Sequence, residues 1–445
     1  ALVKDNTKLI TNPAVFGMLP AEIQAKATSV ANGGSVSEAG ITIDAIPAYN
    51  TTPERLNYHP QGRDNGYVLG VDGARIYIGG DTEDIPEMRA LTDIDVAFLP
   101  MEGRFTMDIN QAAAAIAAFK PGHVYPYHYG QADIDAFADL IKAGYRVAIC
   151  EQTEDPKLAK TIVKREVLEV VTPGTAVSDD LLETKRNNYL VALTADAKAS
   201  GLAVVDVSTG EFQLTELPWQ EVAEQVAAIA PAEILLPESR AGEIIAALTR
   251  VDHPTITRRD DWTFNYDYAQ DLLTDHFGTL SLKGFGIDEM PAGICAAGAI
   301  ISYLRENQKE KLVHINRLGR LAADQHMILD TASRRNLELV QSMSQQRKHG
   351  TLLAVLDKTR TPMGGRMLVQ WLLHPLLAVP AIRERQDAVE TLVTRSELRS
   401  SLVDILARAG DLERLLARFA TGRANARDAL AVLASLRVVQ EIKTL

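Results

Sequence analysis

The sequence predicts a multidomain chain, α/β through its first two thirds and all-α through its last third. Three observations carry this reading. Residues 1–130 and 188–288 alternate short apolar runs with turn signals and amphipathic helices. From residue 289 the apolar period becomes helical and stays so. The length of 445 residues suits two to four domains.

In the first region, Ile41–Ala48 is an apolar run ended by Pro47 and Asn50. Tyr67–Val71 and Arg75–Ile78 flank Asp72-Gly73, a hairpin turn signal. Asp95–Leu99 has the pattern of a short buried strand closed by Pro100. Asn110–Phe119 is Ala-rich and helical, and stops at Pro121. Residues 132–144 read as an amphipathic helix with Ile134, Phe137, Ala138 and Ile141 on one side and Gly144 at its end. Tyr145–Cys150 and Val167–Val171 read as strands. In the second region Tyr189–Thr194, Leu202–Val207 and Glu211–Thr215 are strand-like, the last two joined by Ser208-Thr209-Gly210. Two helix-strand units follow: Gln220–Ile229 with Glu233–Leu236, and Ala241–Leu248 with Thr255–Ile256. After 289, Met290, Ile294, Ala297 and Ile301 share a helix face, and no strand is expected. Thr361-Pro362 is an N-cap with Pro at the first helical position, and that helix runs to His374, where Pro375 stops it. Leu398, Leu402, Ile405, Leu412, Leu415 and Phe419 continue the pattern.

Composition excludes several classes. Apolar residues make up 46% and charged residues 23%, which is globular and neither collagenous nor disordered. No run approaches the ~18 apolar residues of a membrane helix, and no signal peptide is visible. Two cysteines, Cys150 and Cys295, make no disulfide framework, so a reducing cytoplasm is expected. The net charge of −12 is unevenly spread: residues 1–138 carry −8, residues 139–289 carry −12, and residues 290–445 carry +8. A basic helical third suits either a polyanion or simply solvated Arg/Glu faces.

The chemically loaded stretch is Ile76-Tyr77-Ile78-Gly79-Gly80-Asp81-Thr82-Glu83, which sets an Asp directly after a strand on a Gly-Gly turn. Tyr125-Pro126-Tyr127-His128-Tyr129-Gly130 sets a His at another strand end. Asp oxygen and His nitrogen are good zinc ligands, and strand ends hold them rigidly. With "IPAYN", "HPQGRDNGYVL", "IDVAFLPM", "FTM" and "FKP" in order around them, these blocks resemble the metallo-β-lactamase-fold hydrolases, in the small family related to lactonase-like enzymes, over residues 1 to about 131. The resemblance implies that Asp81 is the bridging metal ligand and His128 a late one. It puts Asn50 or His59 near the third metal motif. The family's first motif, His-x-His-x-Asp-His, is absent, so the resemblance implies a chain that begins after it. Zinc would then be weakly held, hydrolysis is not expected, and an apolar sheet face would lack its partner sheet.

From about residue 139 the resemblance changes. "LIKAGYRVAICEQTEDPKLAK", "GLAVVDVSTGEFQLTEL", "MILDTASRRNLELVQS", "GTLLAVLDKTRTPMGGRMLVQWLLHPL" and "DLERLLARFATGRANARDAL" are similar to the MutS family of DNA mismatch repair, nearly unbroken to residue 445. The fold class implied for the whole chain is half of a metallo-β-lactamase-like αββα domain, a ribonuclease-H-like connector and a helical core. The expected boundaries are 1–131 for the hydrolase part, 132–187 for the end of the mismatch-recognition domain, 188–288 for the connector and 289–445 for the core.

The implied partners are DNA, bound weakly through phosphates, and a MutL-type repair protein at the connector. Arg334, Arg335, Arg423 and Arg427 are the candidate phosphate contacts. Gly364-Gly365 is expected to allow close helix approach, and Trp371 to lie in the core. Asp206 is one carboxylate where a two-metal nuclease needs several, so a nuclease is not expected. The sequence contains no Gly-x-x-x-x-Gly-Lys-Ser/Thr, hence no ATP phosphate cradle, and no Phe-x-Glu wedge. The DNA clamp inserted in the family's core is also not found. The two resemblances meet within residues 131–145, where one amphipathic helix serves either parent, as in a recombined gene product.

Overall fold

The computed structural model describes residues 7–128, 147–152, 165–177, 182–195, 199–248, 254–308, 312–321, 325–343 and 349–445. The helix expected over 132–144 lies outside the described residues. The chain forms two units, Ala1–Pro173 and Gly174–Leu445.

The first unit begins with a two-stranded parallel pair, β1 (Leu9–Thr11) and β2 (Ala27–Ser29). Its main sheet comprises β3 (Ser35–Glu38), β4 (Ile41–Ala48), β5 (Asp64–Val71), β6 (Ala74–Ile78), β7 (Val96–Pro100), β8 (His123–Tyr127), β9 (Val147–Gln152) and β10 (Arg165–Val171). The eight strands lie side by side in chain order. The hairpin between β5 and β6 turns on Asp72 and Gly73, both with positive φ (48° and 86°), the requirement of a type I′ turn. Strands β6, β7 and β8 are parallel, and β9 joins the edge of β8 at Val124 and Val147.

The Ile109–Phe119 helix opens with a reciprocal cap. Asp108 accepts from the Gln111 amide, and Gln111 reaches back to the Asp108 amide. Its Ala112, Ala115, Ile116 and Phe119 are buried. One row of the sheet, Val68, Tyr77, Ala97 and Val124, is also fully buried. The opposite row of Leu69, Ile76 and Val96, and the neighbouring Ile78, Phe98 and Tyr125, is at best half-buried. Period-2 alternation explains the contrast: one face has a helix to cover it and the other has a thinner cover.

The second unit holds a six-stranded mixed sheet of β11 (Leu190–Leu193), β12 (Ser200–Asp206), β13 (Glu211–Leu217), β14 (Glu233–Pro237), β15 (Thr255–Arg259) and β16 (Gly319–Arg320), in the order β15-β14-β11-β12-β13-β16. Both faces are covered, which is why β11 and β12 are buried throughout. Leu190, Ala192, Ala203, Val205 and Leu214 pack with the Tyr266–Phe277 and Pro291–Gln308 helices. Val191, Leu193, Leu202 and Val204 pack with the Trp219–Ile229 and Ala241–Ala247 helices.

Two expectations need correction here. The Pro291–Gln308 helix does not open the helical domain. It is buried on nearly all sides because it lies on the sheet, which a helix with a single apolar face does not do. A strand also occurs after 289: β16 is only two residues long, too short to show a period, and is held by parallel pairing to β13.

Among the described residues, the second unit's remaining helices are Thr331–Asn336, Leu352–Leu356, Pro362–Leu373, Val379–Thr394, Ser396–Leu406, Leu412–Ala420 and Ala426–Lys443. Thr361 caps its helix through Oγ1 on the Gly364 amide, and His374 is the C-cap. Trp371 departs from expectation. It is 44% exposed, with the Arg385 guanidinium 3.8 Å from its ring centre, so a cation covers it in place of a core. Gly365 admits the Lys185 side chain rather than a helix: an added Cβ would lie 2.6 Å from Lys185 Cγ and Cδ.

Candidate functional sites: a carboxylate–histidine cluster and an arginine-held joint

In the first unit Asp81 is set by the turn that leaves β6. Gly80 has φ of +66°, and an added Cβ would meet the Asn65 carbonyl at 2.6 Å, so this bend requires glycine. Tyr127 at the end of β8 donates its hydroxyl to the Gly80 carbonyl at 2.7 Å, which ties the bend to a strand end two places away in the sheet. His128 follows directly, in the left-handed region at φ 50°.

The sequence left Asn50 and His59 as alternatives, and the geometry separates them. His59 Nε2 stands 3.8 Å from Asp81 Oδ2 and His128 Nδ1 stands 3.4 Å from Asp81 Oδ1. Asn50 is buried and spends its amide on the Arg55 and Phe105 carbonyls. Sequence reasoning missed three supporting carboxylates. Asp64 faces His59 Nδ1 at 3.1 Å, and Glu102 faces His128 Nε2 at 3.2 Å. Glu83 is fully buried and accepts from the Thr51 and Thr52 amides, Thr51 Oγ1 and Arg55. Burial pushes the Glu83 carboxyl up, and these donors more than offset it, so it sits below its ordinary value. That clamp fixes the loop leading to His59.

The donor types suit zinc, but their arrangement does not make a cage. His128 has both ring nitrogens turned to carboxylates, and a single ion would take only one. Among the described residues no group of three or more His, Cys, Asp or Glu is placed to hold a metal ion.

In the second unit the segment entering β11 is gripped by the helical domain. Arg366, 3% exposed, makes paired bonds to Asp411 at 2.7 and 2.7 Å, a third to Glu413 at 2.6 Å and a fourth to the Thr184 carbonyl at 3.2 Å. Arg414, 2% exposed, donates to the Arg186 carbonyl at 2.6 Å. Lys185 Nζ meets both Asp357 oxygens at 3.0 Å. Gln370 donates to the Tyr189 hydroxyl, which in turn donates to Glu211. Positions 184, 185, 186 and 189 before the sheet are thus held by side chains far ahead in the chain. Single-sequence patterning gives no sign of such pairings.

The candidate phosphate contacts divide. Arg335 and Arg427 are exposed, whereas Arg334 and Arg423 are half-buried. Asp206 is buried and accepts from Asn187, the Asn188 amide, and the Ser208 amide and hydroxyl. It is a turn anchor. No helix among the described residues is long and apolar enough to cross a membrane.

Comparison with known proteins follows this division. Residues 6–129 match the beta-lactamase superfamily domain. Residues 131–180, 188–316 and 332–445 match MutS domains I, II and III. The chain is 41% identical over 325 residues to the DNA mismatch repair protein MutS of Chlorobaculum parvum, covering 72% of this chain and 37% of that protein. It is 44% identical over 303 residues to the MutS of Salinibacter ruber, covering 67% and 33%. The chain thus spans about a third of the length of these relatives. A solved structure of a putative metal-dependent hydrolase from Parabacteroides distasonis is 45% identical over 32% of this chain and 65% of that one, with a TM-score of 0.30. Domain II, ending at residue 316, takes in the Pro291–Gln308 helix, as the packing does. From residue 131 onward the chain belongs to the MutS family, as its domains I, II and III in order, and it carries a beta-lactamase superfamily domain ahead of them.

Proposed function

We propose that the second unit is a scaffold of DNA mismatch repair, with a structural rather than catalytic part. The observation that carries this is the clasp on residues 184–189. Two buried arginines of the helical domain hold the lead-in to the connector sheet, and Lys185 of the lead-in reaches back to Asp357, so the two domains keep a fixed angle. A fixed angle is what a relay between a DNA site and a partner needs. DNA is the partner in this reading, bound through its phosphates by the basic helical domain, with Arg335 and Arg427 free to reach them. A MutL-type protein would dock on the connector. The test is fluorescence anisotropy of a labelled duplex with the purified chain at low salt. Arg335→Ala with Arg427→Ala is expected to weaken binding severalfold; absence of binding by the wild-type chain removes DNA from this reading and leaves the scaffold.

A second reading, a zinc-dependent hydrolase of lactones or esters, is favoured by Asp81 standing between His59 and His128. The arrangement does not fit a zinc cage, so no hydrolytic step is derived from it. Elemental analysis after incubation with zinc decides: less than one equivalent, unchanged in Asp81→Ala, ends this reading, and one equivalent lost in Asp81→Ala and His128→Ala supports it.

A further inference from the structure

The connector presents one large aromatic side chain to solvent and holds it still. Trp262 follows β15 in a short turn over Asp261–Phe264 and is 54% exposed. Its indole Nε1 donates to Asp260 Oδ2 at 3.3 Å, and its ring meets the Tyr268 ring edge-on, with centres 5.0 Å apart at 75°. Tyr268 donates in turn to the buried Ser302 hydroxyl at 3.2 Å. The turn is pinned from a second side, where the Ser239 amide and hydroxyl donate to Asp261 Oδ1 at 3.1 and 3.0 Å. An exposed ring that is already ordered loses little freedom when a partner covers it. Tryptophan is also enriched among the side chains that anchor interfaces.

Charge around the ring points to what covers it. Residues 260–276 contain five aspartates and no lysine or arginine. The Tyr266–Phe277 helix turns Ala269 and Leu273 into the core and leaves Asp267 and Asp271, one turn apart, exposed. The arginines of neighbouring elements are each matched to another carboxylate: Arg258 to Glu238, Arg259 to Glu306 and Arg305 to Asp275. Among the described residues, Asp260, Asp261, Asp267 and Asp271 therefore have no cation to pair with. An indole face bordered by unpaired carboxylates suits a guanidinium, which stacks on the ring and pairs with carboxylates through its edge. The same charges repel a nucleic-acid backbone.

We infer that this face of the connector docks an arginine-bearing segment of a partner protein, with a guanidinium stacked on Trp262 and its N–H groups directed to the flanking aspartates. Only the identity of that partner depends on the scaffold reading; the chemistry of the surface does not.

The test uses the whole chain, labelled at tryptophan, and a hexa-arginine peptide as the probe. At constant ionic strength the peptide is expected to shift the Trp262 indole signal with saturation, and to leave those of Trp219 and Trp371 in place. Trp262→Ala is expected to weaken binding about tenfold. That variant keeps the net charge of −12, so general attraction of a polycation to the chain does not produce the loss. Asp267→Asn with Asp271→Asn is expected to weaken binding severalfold, and hexa-lysine to bind less tightly than hexa-arginine. If Trp262→Ala fails to fold, the double aspartate variant read through the Trp262 signal makes the same test. The expected pattern supports the surface even if the chain binds no DNA. An unmoved Trp262 signal, equal binding to Trp262→Ala, or a neutral apolar peptide that shifts Trp262 as strongly as hexa-arginine overturns the inference.

Discussion

Replacing Arg366 by Ala removes the centre of the clasp, and its cost follows from the partners. Asp411, whose side chain is 14% exposed, loses both of its short bonds and keeps the Arg414 amide at 3.4 Å and the Arg414 guanidinium, whose Nε is 3.9 Å away. Breaking a buried ion pair by deleting one partner costs about 3–5 kcal/mol. Glu413 is half-exposed and regains water, so its share is that of a surface pair, about 0–1 kcal/mol. The partial exposure of Asp411 puts the total near the lower bound, about 3 kcal/mol. At roughly 2–4 °C per kcal/mol for a unit of this size, the midpoint falls by about 6–12 °C. Urea denaturation of the wild-type chain, Arg366→Ala, Asp411→Ala and the double variant measures this, and the cycle should return a coupling of about 2 kcal/mol. Arg366→Lys should recover only part, because one ammonium nitrogen cannot span Asp411, Glu413 and the Thr184 carbonyl as the guanidinium fork does. A loss under about 1 kcal/mol, or additive single effects, would refute the assignment of the clasp as the structural joint.

Two further outcomes follow from named contacts. The protein around Glu211 strips water from its carboxyl, and Asp206 repels its charge, so it is pushed up to about 6. A carboxyl raised above its unfolded value of about 4.3 favours folding when protonated, so this contribution is full at acid pH and is lost as pH rises through about 6. Glu211→Gln should flatten that part of the stability profile, read by denaturation at pH 5 and pH 7; equal slopes in both proteins contradict it. At Gly201 a Cβ would lie 1.9 Å from the Ala292 carbonyl, so Gly201→Ala should push the Pro291–Gln308 helix off β12 and cost more than about 3 kcal/mol in thermal unfolding. A midpoint within 2 °C of wild type would show that the helix lies elsewhere.

The elements most legible in the sequence were those whose signals are local. Asp72-Gly73 specified its hairpin because only a turn with positive φ fits there, and Thr361-Pro362 specified a helix start because a cap and a missing donor coincide. The strand at Gly319–Arg320 was not legible, since two residues carry no period and only pairing to β13 makes them a strand. Trp371 looked like core because aromatic rings usually are, and the cover supplied by Arg385 comes from the next helix. In the first unit Asp81 and His128 stood out at strand ends. Asp64, Glu83 and Glu102 did not, because what singles them out is proximity across the fold. The clasp is the extreme case: Thr184 and Arg366 are 182 residues apart, and nothing in either segment points to the other.

The most direct measurement of the scaffold's function is duplex affinity across a salt series, from about 50 to about 200 mM, with the full chain. The account predicts weak binding whose logarithm falls linearly with the logarithm of salt concentration, the mark of phosphate contacts that release counterions. Binding that is insensitive to salt, or no binding at the lowest concentration, would contradict it.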